Sequence, residues 1–332
     1  MIISRTPYRI SFFGGGTDYP TWFQEHEGAV LATSFDKYCY LIARQLPPFF
    51  ANKYRLVYSR IELVNQIDEI QHPAIKSVLH FLDRQEGLEI HHYGDLPARS
   101  GLGSSSAFTV GLLSVLRALD GQLSTKEQLA RDAIYIEQTL IGESVGCQDQ
   151  ILTAFGGFNH VRFRRDGQFE VLPVIMDQAR REWLEKHLML FFSGISRFSD
   201  DIARNTVQNL KSRTREMQLM QQMVDQALAI LQNPQTPISD FGQLLHEAWQ
   251  YKRSLSAQIS TPVIDEAYQA ARQAGAIGGK LLGAGGGGFM LLFVEPPNQE
   301  RVRQQLKDLI YVPVRFESMG SQIALYQPQG FA

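Results

Sequence analysis

The chain has 332 residues, 44% apolar and 20% charged, with a formal charge of −2, an ordinary globular composition with length for a sizeable core and two domains. That near-neutral balance argues against nucleic acid or an anionic membrane as partner, and no stretch approaches the roughly 18 consecutive apolar residues of a membrane span. The only cysteines, Cys39 and Cys147, have no metal-like spacing and read as reduced thiols; with no leader pattern at the start, a cytoplasmic protein is expected.

In chain order, Arg9–Phe13, Val30–Thr33 and Tyr38–Ala43 are rich in β-branched and aromatic residues and predict strands. Leu88–Tyr93 is another. It runs into a Gly/Ser-rich loop, after which Phe108, Leu112, Val115, Leu116 and Leu119 make one helical stripe. Ser124 and Glu127 spell a capping box for a helix through about Leu140. Phe155–Phe163 and Phe169–Val174 predict a hairpin about Asp166-Gly167. A long helix follows from Asp201 to about Gln232, with Met217, Met220, Val224, Ala227, Leu228 and Leu231 as a core-facing stripe. Two more are expected, one over Asp240–Ala257 and one opened by Thr261-Pro262 and stopped at Gly275. The chain closes with a strand, a glycine loop, the strand Phe289–Val294, a short helix and one or two strands. The change of texture near residue 176 predicts an α+β pair of domains, 1–176 and 177–332, sharing one cleft.

Three glycine clusters carry the chemistry. Pro97 to Ala107 lies between a strand and a helix, where backbone N–H groups and the positive end of the helix dipole favour an anion. Its serines can reach phosphate oxygens or a Mg²⁺ ion; the bland alternative is a loop with a serine cap. Gly278 to Gly288 is either a close-approach loop or a loose hairpin, and Gly14-Gly15-Gly16-Thr17-Asp18 either a turn or a site. The spacing fits neither a Walker A loop nor a dinucleotide fingerprint, which wants glycine or alanine where Ser106 stands. No zinc signature and no hydrolase elbow occurs. Glu137 and Asp149, each on an apolar stretch, are candidate inward-facing carboxylates. Arg5, Arg9, Lys37, Arg99 and Lys280 cluster by sequence about the three loops.

Together the clusters resemble the GHMP kinases, named for galactokinase, homoserine kinase, mevalonate kinase and phosphomevalonate kinase. Pro97 to Ala107 is similar to that family's P-x-x-x-G-L-G-S-S-A-A, with Ser106 where alanine is usual; Lys280 to Gly288 resembles its third motif, and Thr6 to Tyr19 its first. The resemblance implies an N-terminal mixed α/β domain, a ferredoxin-like C-terminal domain, and an active site between them using ATP and Mg²⁺. It implies that Pro97, Arg99, Ser100, Gly101, Leu102, Gly103, Ser104, Ser105 and Ser106 hold the nucleotide. Ser105 and Glu137 would be the Mg²⁺ ligands, although Glu137 stands one residue farther from Asp149 than its counterpart in some relatives. Asp149 would face the accepting hydroxyl and Arg9 would polarise it. Gly15, Gly16, Thr17, Asp18, Lys37, Gly285 and Gly286 would line the acceptor, a small-molecule sugar or sugar phosphate.

Galactokinases usually carry Gly-Glu-His-Thr-Asp-Tyr where this chain has Gly14 to Tyr19. The first motif, Asp36-Lys37-Tyr38, and Gln148-Asp149-Gln150 followed by Phe155 to Asn159 are most similar to D-glycero-D-manno-heptose 7-phosphate kinases. These phosphorylate the anomeric hydroxyl of a sugar already phosphorylated at its far end. A kinase for fucose, galactose or another hexose, and a non-catalytic nucleotide or sugar sensor, are the alternatives.

Overall fold

A long apolar strand, β1 (Ile2–Phe13), runs antiparallel to β2 (Gly28–Gln45). The computed structural model describes residues 1–194, 204, 207 and 210–328. The sequence suggests two strands where β2 is one. The gap between them is a bulge: Pro7 pairs with Tyr38 and Tyr8 with Phe35, leaving Asp36 and Lys37 over. Proline offers no ladder N–H, and bulges accommodate that loss. β3 (Tyr54–Val57), β4 (Ile61–Val64), β5 (Leu88–Gly94), β6 (Phe158–Phe163) and β7 (Phe169–Pro173) extend the sheet, with β3–β5 its parallel pair.

Helix α1 (Pro20–His26) follows β1, and α2 (Pro73–Phe81) precedes β5. α3 (Ser104–Leu119) packs on β1 and β2, and α4 (Lys126–Tyr135) and α5 (Gln148–Phe155) pack beside it. α4 is capped by Thr125, whose hydroxyl accepts from the Gln128 N–H at 3.1 Å, and not by Ser124, whose hydroxyl is taken by Arg117. The expected helix to Leu140 widens after Tyr135 into a π-turn, Ile136–Ile141, a feature often found at functional sites.

The second half builds an antiparallel sheet of order β11-β8-β10-β9 from β8 (Leu188–Phe192), β9 (Ala276–Leu281), β10 (Phe289–Val294) and β11 (Ile310–Val312). Its first helix, α6 (Gln178–His187), has no sequence signature because only Leu184 is buried on it; the Asp177 carboxylate caps it. α7 (Thr214–Gln232), α8 (Ser239–Ser254) and α9 (Pro262–Gln273) follow, and the expected helix from Asp201 lies before residue 210 largely outside the described residues. α10 (Gln299–Gln305) is the short helix before β11. The last strands, β12 (Phe316–Glu317) and β13 (Gln322–Tyr326), leave the second half and pair with β2 and β1 of the first sheet. Among the described residues no helix is long and apolar enough to cross a membrane.

One of the two apolar cores among the described residues spans both sheets. Phe241 of α8 stands edge-on to Phe12 and Phe13 of β1, with centroids 5.4 and 5.1 Å away, and lies near Phe293 of β10. Phe241→Ala is expected to cost about 3–5 kcal/mol, the usual range for emptying a buried aromatic site, read as a lower midpoint in urea unfolding.

Candidate active site

The loop from Pro97 to Gly103 is shaped by contacts only glycine allows. Gly101 has φ +84°, and a Cβ there would lie 2.5 Å from the Leu282 carbonyl oxygen; a Cβ on Gly283 would lie 2.4 Å from Gly101 Cα. The second and third glycine clusters therefore touch backbone to backbone. The Phe289 N–H donates to Ser100 O at 3.1 Å and the Arg9 N–H to Leu102 O at 3.0 Å, sewing the loop to β10 and β1. α3 starts after Gly103, left-handed at φ +73°, and no side chain caps it. Its first N–H groups have no intrahelical partner, so this end is suited to an anion.

Arg9 and Asp149 meet at this loop. The Arg9 Nε and Nη2 donate to the two Asp149 oxygens at 2.6 and 2.7 Å, and Nη1 donates to Gly101 O at 2.6 Å. The position of a Cβ on Gly103 lies 3.5 Å from Asp149 Cγ. The aspartate thus faces the serine turn, at the first turn of α5.

Glu137, on the π-turn, is 1% exposed. Its Oε2 accepts from the Ser106 hydroxyl at 2.9 Å and the Gln150 amide at 2.6 Å, while Oε1 is buried without a hydrogen-bond partner. Burial pushes its carboxyl up to about 7, opposed by the hydrogen bonds it accepts from Ser106 and Gln150. An orphaned, buried carboxylate oxygen fits a hard cation. Ser106, the residue that departs from the family pattern, is the one in contact with Glu137; the neighbouring Ser105 is exposed at the helix start. Among the described residues no three acidic, histidine or cysteine side chains gather, so a Mg²⁺ ion here would draw its other ligands from hydroxyls and phosphates.

The other expected residues divide. Asp18 is buried beside α5, its oxygens accepting from the Gly16 N–H at 2.9 Å and the Gln148 N–H at 3.2 Å; burial raises its pKa. Thr17 is spent on the Gly14 and Ala29 carbonyls, both at 2.8 Å. Gly15 lies near Ser11 and Gln148, whereas Gly16 faces Met217. Lys37 sits in the β2 bulge, its ammonium 2.9 Å from Asp36. Gly285 and Gly286 back onto Ile259, whose carbonyl accepts from the Gly286 N–H at 2.9 Å. In the loop, the Ser100 hydroxyl donates to Pro97 O and the Arg99 N–H to the Ser104 hydroxyl, shaping its turn.

Lys252 escapes the sequence reading. Its ammonium donates to Leu281 O at 3.0 Å and to Gly283 O, fixing the start of the third glycine loop. Burial, helped by the charge of Arg9, pulls its pKa down to about 7. Lys280 donates to Phe12 O at 2.8 Å, and burial pulls it well below the ordinary lysine range. The signal for Lys252 was present: it follows Leu245, Ala248 and Trp249 at the spacing of their buried stripe on α8.

A carboxyl with a pKa of about 7 in the fold and 4.5 as its ordinary value binds its proton more tightly in the native state. Stability therefore falls as pH rises from about 4.5 to 7, and the full cost is present above 7. Glu137→Gln is expected to raise the thermal midpoint of the metal-free protein at pH 8 and to give little gain at pH 5, as read by calorimetry at both pH values.

The family models "GHMP kinases N terminal domain" and "GHMP kinases C terminal" match residues 70–157 and 227–311. A D-glycero-alpha-D-manno-heptose 7-phosphate kinase of Campylobacter jejuni is 29% identical over 92% of this chain and 93% of its own. A mevalonate kinase of Pyrococcus abyssi is 30% identical over 70% of this chain and 67% of its own. The crystal structure of a D-glycero-D-manno-heptose 1-phosphate kinase from Bacteroides thetaiotaomicron has the same fold, with a TM-score of 0.78 at 24% identity over 98% of this chain and all of that one. With both family models matched in order and the fold shared from end to end, the chain belongs to the GHMP kinase family.

Proposed function

We propose that this protein transfers the γ-phosphoryl group of ATP to the anomeric hydroxyl of a sugar phosphate, D-glycero-D-manno-heptose 7-phosphate, giving the 1,7-bisphosphate. The observation that carries the reaction class is the Arg9–Asp149 clamp set against the phosphate loop. The similarity to a heptose 7-phosphate kinase over nearly both whole chains supports the acceptor. In this reading the first unit, through about residue 176, presents the phosphate loop, and the second brings the third glycine loop against it. The reaction takes place in the cytoplasm.

The loop N–H groups and the start of α3 hold the triphosphate, and Arg9 supplies positive potential, to which Lys252 and Lys280 add as the bound anion favours their protonated forms. Asp149, fixed by the guanidinium fork, orients the accepting hydroxyl in line with the phosphoryl group and takes its proton. Glu137 and Ser105 would hold Mg²⁺, which would supply charge neutralisation at the phosphate oxygens.

A coupled ADP-release assay over heptose 7-phosphate, fucose, galactose and mevalonate tests the acceptor. The highest kcat/KM is expected with heptose 7-phosphate; a better acceptor in the panel overturns that choice, and tight ATP binding with no ADP release overturns the kinase. Asp149→Ala is expected to lower kcat at least about a hundredfold, the usual scale of a lost proton acceptor, with the KM for ATP little changed. For Ser105→Ala the Mg²⁺ concentration giving half-maximal rate should rise, and an unchanged Mg²⁺ titration rejects that ligand.

A further inference from the structure

Beside the Arg9–Asp149 clamp lie two buried polar atoms that nothing in the protein satisfies. Ser11, two residues beyond Arg9 on β1, is 6% exposed, and its hydroxyl has no hydrogen-bond partner. Gln148 immediately precedes Asp149, and its Oε1 is likewise buried and unpartnered. The two side chains meet across Gly15, where a Cβ would lie 3.6 Å from Ser11 Oγ and 3.7 Å from Gln148 Nε2. Buried polar atoms are normally paired, because leaving them unpaired costs stability. Two side chains that each carry an orphan meet at one glycine, one two residues from Arg9 and the other next to Asp149, and they point to a ligand that completes them.

The chemistry of that ligand follows from the surroundings. Neither side chain is charged. The buried carboxylate of Asp18 accepts from the Gln148 N–H, and Asp149 is the next residue. Two carboxyl groups beside the position oppose a second anion, whether a carboxylate or the acceptor's own phosphate. A hydroxyl suits both orphans, since it donates to Gln148 Oε1 and exchanges a hydrogen bond with Ser11.

We propose that Ser11 and Gln148 form a subsite that reads a sugar hydroxyl other than the accepting one, with Gly15 leaving the room for it; this rests on the sugar-kinase reading above. The subsite gives the motif Gly14 to Asp18 a way to recognise a polyol without charged side chains at positions 15 and 16, and it disfavours acidic acceptors such as mevalonate.

The test compares wild type with Ser11→Ala and Gln148→Ala, using ATP with heptose 7-phosphate and recording both KM values, kcat and the thermal midpoint of the free protein. Each substitution is expected to raise the sugar KM about tenfold while the KM for ATP moves less than twofold. Ser11→Ala should leave the midpoint unchanged or higher, because the deleted hydroxyl has no partner to lose. An unchanged sugar KM, or equal rises in both KM values, overturns the subsite, and so does a lowered midpoint with an unchanged sugar KM. If wild type prefers fucose or galactose, the same shifts measured with that sugar uphold the subsite while the heptose assignment fails. Turnover of mevalonate alone overturns both.

Discussion

Arg9 is the residue on which the site is assembled. Its guanidinium spans the Asp149 carboxylate and the Gly101 carbonyl, and its own N–H holds the Leu102 carbonyl. One side chain thereby sets the distance between α5, β1 and the phosphate loop. A charge-assisted, forked pair of this kind is directional as well as strong, so the aspartate cannot rotate away without giving up both bonds. The bulge at Pro7 shifts the β1–β2 register just before Arg9, and the third glycine loop fits behind Gly101 because neither partner has a Cβ. A side chain at either glycine would push apart two backbones that lie against each other.

Charge in this region is deliberately unbalanced. Arg9 has a carboxylate partner, but Lys252 and Lys280 make their bonds to carbonyl oxygens. Carbonyls solvate an ammonium without neutralising it, and both lysines are held below their ordinary pKa chiefly by burial. Such an arrangement is costly in the free protein and becomes favourable when a multiply charged anion enters. The inverse holds at Glu137, a buried acid whose free oxygen suits a cation.

The sequence made the local features legible and hid the long-range ones. Glycine between a strand and a helix is legible through backbone rules alone, and Pro97 to Gly103 does lie between β5 and α3. The Arg9–Asp149 pair spans 140 residues of chain; no periodicity reports such a contact, and resemblance to the family was what linked them. Ser106 was legible as a departure from the family motif, but its hydrogen bond to Glu137 depends on the π-turn, which shifts side chains by a fraction of a turn that helical spacing does not register. α6 was invisible because a helix with one buried residue leaves no stripe. Lys252 lay on a legible stripe, yet a lysine at a core-facing position reads as noise until its carbonyl partners are known.

The strand that carries Arg9 and Ser11 lies between β2 and β13, and β13 comes from residues 322–326, paired Ile2 to Tyr326 and Arg5 to Gln322. Along Ile2–Arg5, one margin of β1 therefore keeps its backbone groups open until β13 has been synthesised. A strand made before β13 must wait for it to be closed, and until then it presents a border open to pairing with another chain.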